Sequence, residues 1–379
     1  MKTNKLLSIN LSLLLGLTVI LGFDSCKTTN PFEGAKLIIN YDLIKTNFNI
    51  QFVDATTGNL IGFNDNTNVK ITVSGEDKDA VINSTGEIMD AYYSSNGFVG
   101  MALNPNVEYK PSPSSPIKFT LVFSIDGYLS TSKSFTITQE GDYFDKMIMT
   151  DLSNPPNGVL VKEEKNIGNL ESGGLVKEDI GLETDNGIAK IIIPAGTVIK
   201  DANGDALVGS LDITLVYFSN LIDESLAAFP GGLMTRVSQD GQTSDGAFFS
   251  AGFLAIEIYD QNGTPAEFFE ENKVGLSMGV EAATYNPETQ AVVSAGNSVP
   301  LYSYNTSNGE WTYEQTAVLE ANGRFGYVVN AEIDHLSYWN FDWFWSEYCY
   351  EGIEFIFTGD YAGCGCMEQV GIMRKQADN

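Results

Sequence analysis

The chain has 379 residues and a formal net charge of −28. Such an excess of negative charge excludes recognition of DNA, RNA or an anionic lipid surface by charge attraction. Aromatic residues make up 11% of the chain and charged residues 18%, a balance typical of packed, strand-rich proteins rather than disordered ones.

The first 25 residues form a predicted signal peptide. Lys2 and Lys5 give a short positive segment, and the following stretch, Leu11 to Gly22, is almost wholly apolar before Ser25. This order of charge, apolar stretch and small residue is typical of a secretory leader. The apolar stretch is short for a spanning helix, which needs about 20 apolar residues.

Cys26 is the predicted lipidation site. The segment Leu21-Gly22-Phe23-Asp24-Ser25-Cys26 resembles the loose lipobox of Bacteroidota lipoproteins. That resemblance implies acyl chains such as palmitate on Cys26 and a place in the cell envelope, expected to be the outer membrane; the alternative is a plain secreted protein. Several acyl chains are needed for stable anchoring. Residues 26–45 then form a lipidated tether, polar and broken by proline near its start.

Residues 46–152 carry the first strand-rich pattern. Alternating segments such as Phe48 to Val53, Val69 to Val73 and Lys118 to Ile125 are separated by glycine-rich turns. Short strands at this spacing predict a small β-sandwich. Val53-Asp54 with Thr57-Gly58, then Asp126-Gly127-Tyr128, resemble the carboxypeptidase-regulatory-like, or transthyretin-like, modules of Bacteroidota envelope proteins. This resemblance implies an accessory fold without an active site.

Residues 153–175 are predicted to be a linker. Asn154-Pro155-Pro156-Asn157-Gly158 opens this stretch, and Ser172-Gly173-Gly174 lies close to its end. Both clusters break regular elements, which favours an irregular connection between two domains.

Residues 176–337 carry a second β pattern, predicted to be another sandwich. Leu211 to Phe218 is its best strand, and Leu221 to Phe229 is predicted to form a short turn of helix. Four motifs in order resemble ZU5-like modules and those of cartilage intermediate layer protein, which implies a structural or interaction role: Ile193-Pro194-Ala195-Gly196, Phe229-Pro230-Gly231-Gly232, Asp260 with Gly263, and His335-Leu336-Ser337-Tyr338-Trp339-Asn340.

Catalytic and metal-binding patterns are weak. The chain has one histidine, His335, which excludes multi-histidine zinc sites. Asp334 precedes it, but neighbours on a strand point to opposite faces, so we expect a structural histidine. Asp201, Asn203 and Asp205 alternate as in calcium loops, yet Ala206 stands where such a loop needs glycine, which favours a hairpin turn. No catalytic residue, metal ligand or cofactor is predicted.

Residues 338–379 are predicted to be a separate aromatic and cysteine-containing segment. Trp339, Trp343 and Trp345 are candidates for stacking on sugar rings, although the same aromatics would also fill a core or a seam between domains, which we favour. Three cysteines here, Cys349, Cys364 and Cys366, allow one disulfide. Cys349 pairs plausibly with either of the others, whereas a Cys364–Cys366 bridge would be strained.

The sequence therefore predicts an all-β protein of tandem β-sandwiches, Ig-like or transthyretin-like, behind a lipoprotein signal peptide. Its predicted role is that of a membrane-anchored, non-catalytic binding, adhesion or scaffold protein. The alternative is a lipoprotein that binds or degrades carbohydrate. The expected partners are the membrane, through the lipid, and a protein or glycan, but no nucleic acid.

Overall fold

The predicted all-β sandwich architecture is confirmed. The computed structural model describes residues 44–63, 67–106, 109–229, 232–305 and 309–346. Strands built from alternating apolar and polar residues dominate this part of the chain, because such alternation buries one face of a sheet. The predicted turn of helix at 221–229 is confirmed as α1 (Asp223–Ala227).

The first sandwich packs two four-stranded sheets against each other. Its strands are β1 (Thr46–Asp54), β2 (Lys70–Ser74), β3 (Val81–Asn83), β4 (Tyr92–Tyr93), β5 (Phe98–Leu103), β6 (Ile117–Ser124), β7 (Thr131–Ile137) and β8 (Gly141–Met149). One sheet has the order β3-β5-β1-β8 and the other β4-β2-β6-β7. Phe48, Phe52, Phe119 and Phe123 are buried between them. Edge contacts such as Phe48 to Phe119, with centroids 5.2 Å apart, join the two sheets.

A ten-stranded and a five-stranded sheet form most of the remaining structure. The strands are β9 (Val159–Glu171), β10 (Leu175–Val176), β11 (Ile180–Glu183), β12 (Ala189–Ile193), β13 (Val198–Lys200), β14 (Gly209–Phe218), β15 (Met234–Gln239), β16 (Gln242–Asp260), β17 (Phe268–Glu270), β18 (Val274–Glu281), β19 (Tyr285–Asn286), β20 (Ala291–Val292), β21 (Ser298–Asn305), β22 (Glu310–Val318), β23 (Glu320–Asn322), β24 (Gly326–Ile333) and β25 (Tyr338–Trp345). The large sheet runs β15-β22-β21-β25-β16-β14-β9-β10-β13-β17, and the small one β11-β12-β18-β24-β23. Their facing sides share one hydrophobic core. The remaining two strands, β19 and β20, pair with each other in a separate two-stranded sheet.

One end of the large sheet closes into a ring. β15 pairs with β22 on one side and with β16 on the other, so β15, β22, β21, β25 and β16 are joined in a circle. Phe248 on β16 contacts Tyr302 on β21 and Trp311 on β22, with centroids 5.1 and 5.6 Å apart, although neither strand is a neighbour of β16. These contacts cross the inside of the ring, which is therefore filled by aromatic side chains.

Two predicted boundaries are wrong. The predicted linker 153–175 contains β9, which pairs with β14 along most of its length. The predicted separate segment 338–379 begins with β25, a central strand of the large sheet between β21 and β16. In both cases long-range pairing decides the structure, and proline or glycine clusters mark only the ends of the strands.

The first sandwich meets the large sheet at a buried seam. Ser132 Oγ donates a hydrogen bond to Tyr304 Oη at 2.9 Å, and Tyr338 Oη donates to the carbonyl of Ser130. Leu129 belongs to the same apolar cluster as Phe218 on β14. The β6–β7 turn is therefore docked on the face of the large sheet that lies opposite the main core.

Candidate functional site

The predicted sugar-stacking tryptophans do not form a surface. Trp339 is 1% exposed and Trp343 2% exposed, and both lie in the core between the two sheets, whereas Trp345 is 43% exposed. Trp343 Nε1 also donates to the carbonyl of Ser298 at 3.1 Å. The stacking prediction is wrong for Trp339 and Trp343. Their alternation with Tyr338 along β25 puts these rings in the core and Tyr338 in the seam.

The lipidation and disulfide predictions fall outside the described residues. Cys26 belongs to the segment before residue 44, and Cys349, Cys364 and Cys366 follow residue 346. The lipidation of Cys26 and the disulfide among the other three cysteines therefore remain predictions from the sequence.

His335 contacts the preceding residue instead of pointing away from it. Its Nδ1 lies 3.1 Å from Asp334 Oδ1, and its ring lies 4.9 Å from that of Trp339. The expectation of opposite faces is wrong because β24 ends at Ile333, so Asp334 and His335 follow a bend and not a regular strand. The imidazole and Lys273 together hold the pKa of Asp334 below its usual value.

The sequence motifs behind the first resemblance have local structural roles. Asp54 Oδ1 accepts hydrogen bonds from the amide of Thr57 at 2.6 Å and from its hydroxyl at 2.7 Å. Tyr128 Oη donates to Asp54 Oδ2 at 3.2 Å. The Val-Asp, Thr-Gly and Asp-Gly-Tyr motifs thus meet around one carboxylate that stabilises the turn after β1.

The calcium-like motif is a turn closed on itself. Asp201 Oδ1 accepts from the backbone amides of Asn203 and Asp205 at 2.9 and 2.8 Å. Gly204 has φ +82, a conformation that glycine adopts without strain. Among the described residues, no group of three or more histidine, cysteine, aspartate and glutamate side chains is placed to hold a metal ion.

A cleft between the two sheets is a feature that the sequence patterns did not predict. It measures about 690 Å³ and is lined by β9 on one side and by residues 177–183 on the other. Ile167, Ile180 and Leu182 contribute apolar surface to it. The two sides approach each other closely at Gly168, where an added Cβ would lie only 2.4 Å from Ile180 Cδ1. The sequence feature that could have indicated the cleft is the alternation in Ile180-Gly181-Leu182-Glu183, which predicts a short strand with a glycine inside it.

Charge at the cleft is predominantly negative. Four carboxylates line it, from Glu164, Glu178, Asp179 and Glu183, together with two ammonium groups, from Lys162 and Lys177. Lys162 Nζ lies 3.0 Å from Asp185 Oδ1, and Lys177 Nζ lies 3.7 Å from Glu171 Oε1. Two of the cleft carboxylates also have a cationic partner: Glu164 lies 3.7 Å from Lys162 Nζ, and Glu183 lies 3.8 Å from Lys190 Nζ. Carboxylates still outnumber ammonium groups in the lining.

The inside of the ring holds a buried carboxylate. Asp342 is fully buried, and its Oδ1 accepts a hydrogen bond from the amide of Ala251 at 3.0 Å. Burial raises the pKa of Asp342 to about 8, against the opposing effect of nearby hydrogen-bond donors. The carboxyl is therefore mainly protonated at neutral pH, which removes the cost of burying a charge among aromatic rings.

Comparison with known proteins gives no family. Neither a protein-family model nor a curated protein matches the chain. In the described part of the chain, no helix has both the length and the apolar character required to cross a bilayer.

Proposed function

We propose that this protein is a lipid-anchored, non-catalytic binding or scaffold protein of a bacterial cell envelope. The observation that carries the proposal is the position of the aromatic strand β25. Trp339 and Trp343 fill the main core, while Tyr338 bonds to Ser130 of the first sandwich. The two tryptophans fill the core of the second sandwich and Tyr338 joins it to the first, so these aromatic rings do not form a sugar-binding face, and this favours a rigid scaffold over a glycan-binding protein.

The only histidine also favours a role other than catalysis. His335 packs on Trp339, and its neighbour Asp334 lies 3.9 Å from Lys273. Its contacts link a bend to the core, which is a structural use of the side chain. The acidic surface is suited to an exported, soluble domain held at a distance from the membrane by residues 26–45.

Membrane fractionation of cells that produce Cys26→Ser tests the anchor. We expect the wild-type protein in the membrane fraction and the variant in the soluble fraction, with mass analysis showing a wild-type mature chain that starts at an acylated Cys26. Cys349→Ser is the matched control, and it should fractionate like the wild type. A variant at position 26 that remained equally membrane-bound would contradict the proposal.

A further inference from the structure

The cleft between β9 and β11 has the features of a site for adding one more strand. β11 is the terminal strand of the small sheet, and in the described residues it pairs with β12 alone. An exposed strand edge offers unpaired backbone groups to another extended segment.

The register with β12 identifies the outward groups. Thr184 lies opposite Ala189 and donates its amide to that carbonyl at 3.0 Å. Because residues alternate in an antiparallel pair, Ile180 and Leu182 also direct their backbone groups toward β12. Gly181 and Glu183 therefore direct their N–H and C=O groups away from the sheet, to the open edge. Both residues are exposed and line the cleft.

β9, on the other side of the cleft, is protected against pairing. Lys162, Glu163, Glu164 and Lys165 put four consecutive charges on it, and Asn166 adopts φ +57 at a bulge against β14. Charges and bulges are the devices by which natural sheets block edge pairing. β11 instead has Gly181 near its centre, so one edge is blocked and the other is accessible.

The charge of the cleft selects the occupant. Its carboxylates outnumber its ammonium groups four to two. A second copy of this chain, with its net charge of −28, would be repelled. An extended strand that alternates apolar and basic side chains would direct the apolar ones toward Ile167, Ile180 and Leu182 and the basic ones toward the carboxylates.

We propose that β11 is a docking edge for an extended, basic segment of a partner protein, which adds a sixth strand to the small sheet. This site is independent of the lipid anchor, so the failure of one proposal leaves the other standing. It identifies a kind of partner, a basic β-strand, and the backbone groups of Gly181 and Glu183 as the groups that hold it.

Titration of the full-length protein in detergent with a synthetic peptide tests the proposal. The probe is a capped peptide of alternating lysine and valine, about seven residues long to match a typical strand. A peptide of alternating glutamate and valine serves as its matched control. We expect saturable binding of the lysine peptide only. Absence of that binding, or equal binding of both peptides, would overturn the proposal.

Substitutions of Gly181 distinguish the contribution of the backbone N–H to peptide binding from that of a side chain. Gly181→Pro removes the outward N–H without removing a bond to β12, and should weaken peptide binding by about tenfold or more, equivalent to about 1.4 kcal/mol. Gly181→Ala retains the N–H, and its Cβ would lie 3.9 Å from the Ile191 carbonyl oxygen, so it should bind like the wild type. Equal affinity of the proline variant and the wild type would contradict strand addition.

Two further measurements keep the proposal testable if the proline variant does not fold. The charge reversal Glu183→Lys should weaken binding of the lysine peptide and strengthen binding of the glutamate peptide; unchanged preferences would count against the site. Hydrogen exchange at the outward amides of Gly181 and Glu183 should slow when the lysine peptide binds. Slow exchange of these two amides in the free protein would show that the chain or a second copy already covers the edge, and would overturn the proposal.

Discussion

Ser132 and Tyr304 lie 172 positions apart in the chain, yet their hydroxyl groups are 2.9 Å apart in the seam between the first sandwich and the large sheet. The Tyr304 hydroxyl also donates to the carbonyl of Ser132 at 3.3 Å. Both side chains are buried, so water cannot easily replace either bond. This pair links the start of β7 to β21, a strand of the ring.

Removal of one hydroxyl should therefore weaken the seam. Tyr304→Phe leaves the Ser132 hydroxyl buried without its acceptor, and should lower the free energy of unfolding by about 1–3 kcal/mol. Urea denaturation measures the change, and hydrogen exchange at residues 129–132 should become faster. Tyr313→Phe is the control, since its hydroxyl bonds to Thr316 at an exposed position and its loss should cost less than about 0.5 kcal/mol. Equal effects would contradict the importance of the seam bond.

Two tryptophans two positions apart on β25 should respond very differently to truncation. Trp343→Ala empties a fully buried site and removes a bond to Ser298, so a loss of about 3–5 kcal/mol is expected. Trp345→Ala removes a ring that is 43% exposed and should change stability by about 0.5 kcal/mol or less. Thermal unfolding of both variants measures the difference. A sugar polymer whose binding was lost in Trp345→Ala would revive the glycan-binding alternative.

The buried carboxyl of Asp342 should make stability depend on pH. Its pKa is raised to about 8 in the folded protein, against a usual value of 3.8, so the native state binds a proton that the unfolded chain releases. This contribution is fully present below about pH 4 and is lost as the pH rises through about 8, at up to about 1.4 kcal/mol per pH unit. Asp342→Asn should lack it, so the variant should gain stability relative to the wild type as the pH rises.

Urea denaturation at several pH values between 4 and 9 checks the behaviour of Asp342. Asp142→Asn is the matched control, because it makes the same substitution at an exposed position outside the ring. Parallel curves for the wild type and Asp342→Asn would show that the carboxyl is ionised in the folded protein.

The carboxyl of Glu257, which lies at the seam, should make the stability of the protein depend on pH in a second way. Burial raises its pKa to about 7, against a hydrogen bond from the backbone of Ser130 that lowers it, and the charge of Glu163 raises it further. The stability that the neutral form contributes is present below about pH 4.5 and is lost as the pH rises through 7. Glu257→Gln should remove this dependence, so the protection of the Ser130 amide, taken relative to its intrinsic exchange rate at each pH, should no longer fall between pH 6 and 8. Protection that still fell in the variant would assign the effect to another group.

The sequence by itself determined where strands and turns form in this protein, but to a lesser extent which strands pair with each other. Alternation along Leu211 to Phe218 predicts β14, which spans Gly209–Phe218, and the alternating side chains of Asp201 to Asp205 predict the hairpin turn that is observed. Both depend on neighbours in the chain: side chains alternate across a strand, and an aspartate side chain bonds to the amide two residues on.

Only the tertiary structure decided which faces, edges and boundaries these elements have. The proline and glycine clusters around β9 predict a linker, and its strand structure is not visible locally because it pairs with residues of β14 that lie 39 to 59 positions away, from Leu170 with Gly209 to Val159 with Phe218. Long-range structure also decides the burial of Trp343, which depends on sheets from other parts of the chain. It likewise decides that the outer edge of β11 is left open. Strand pairing joins distant segments by backbone groups that every residue has, so local side-chain patterns do not encode which strand remains unpaired.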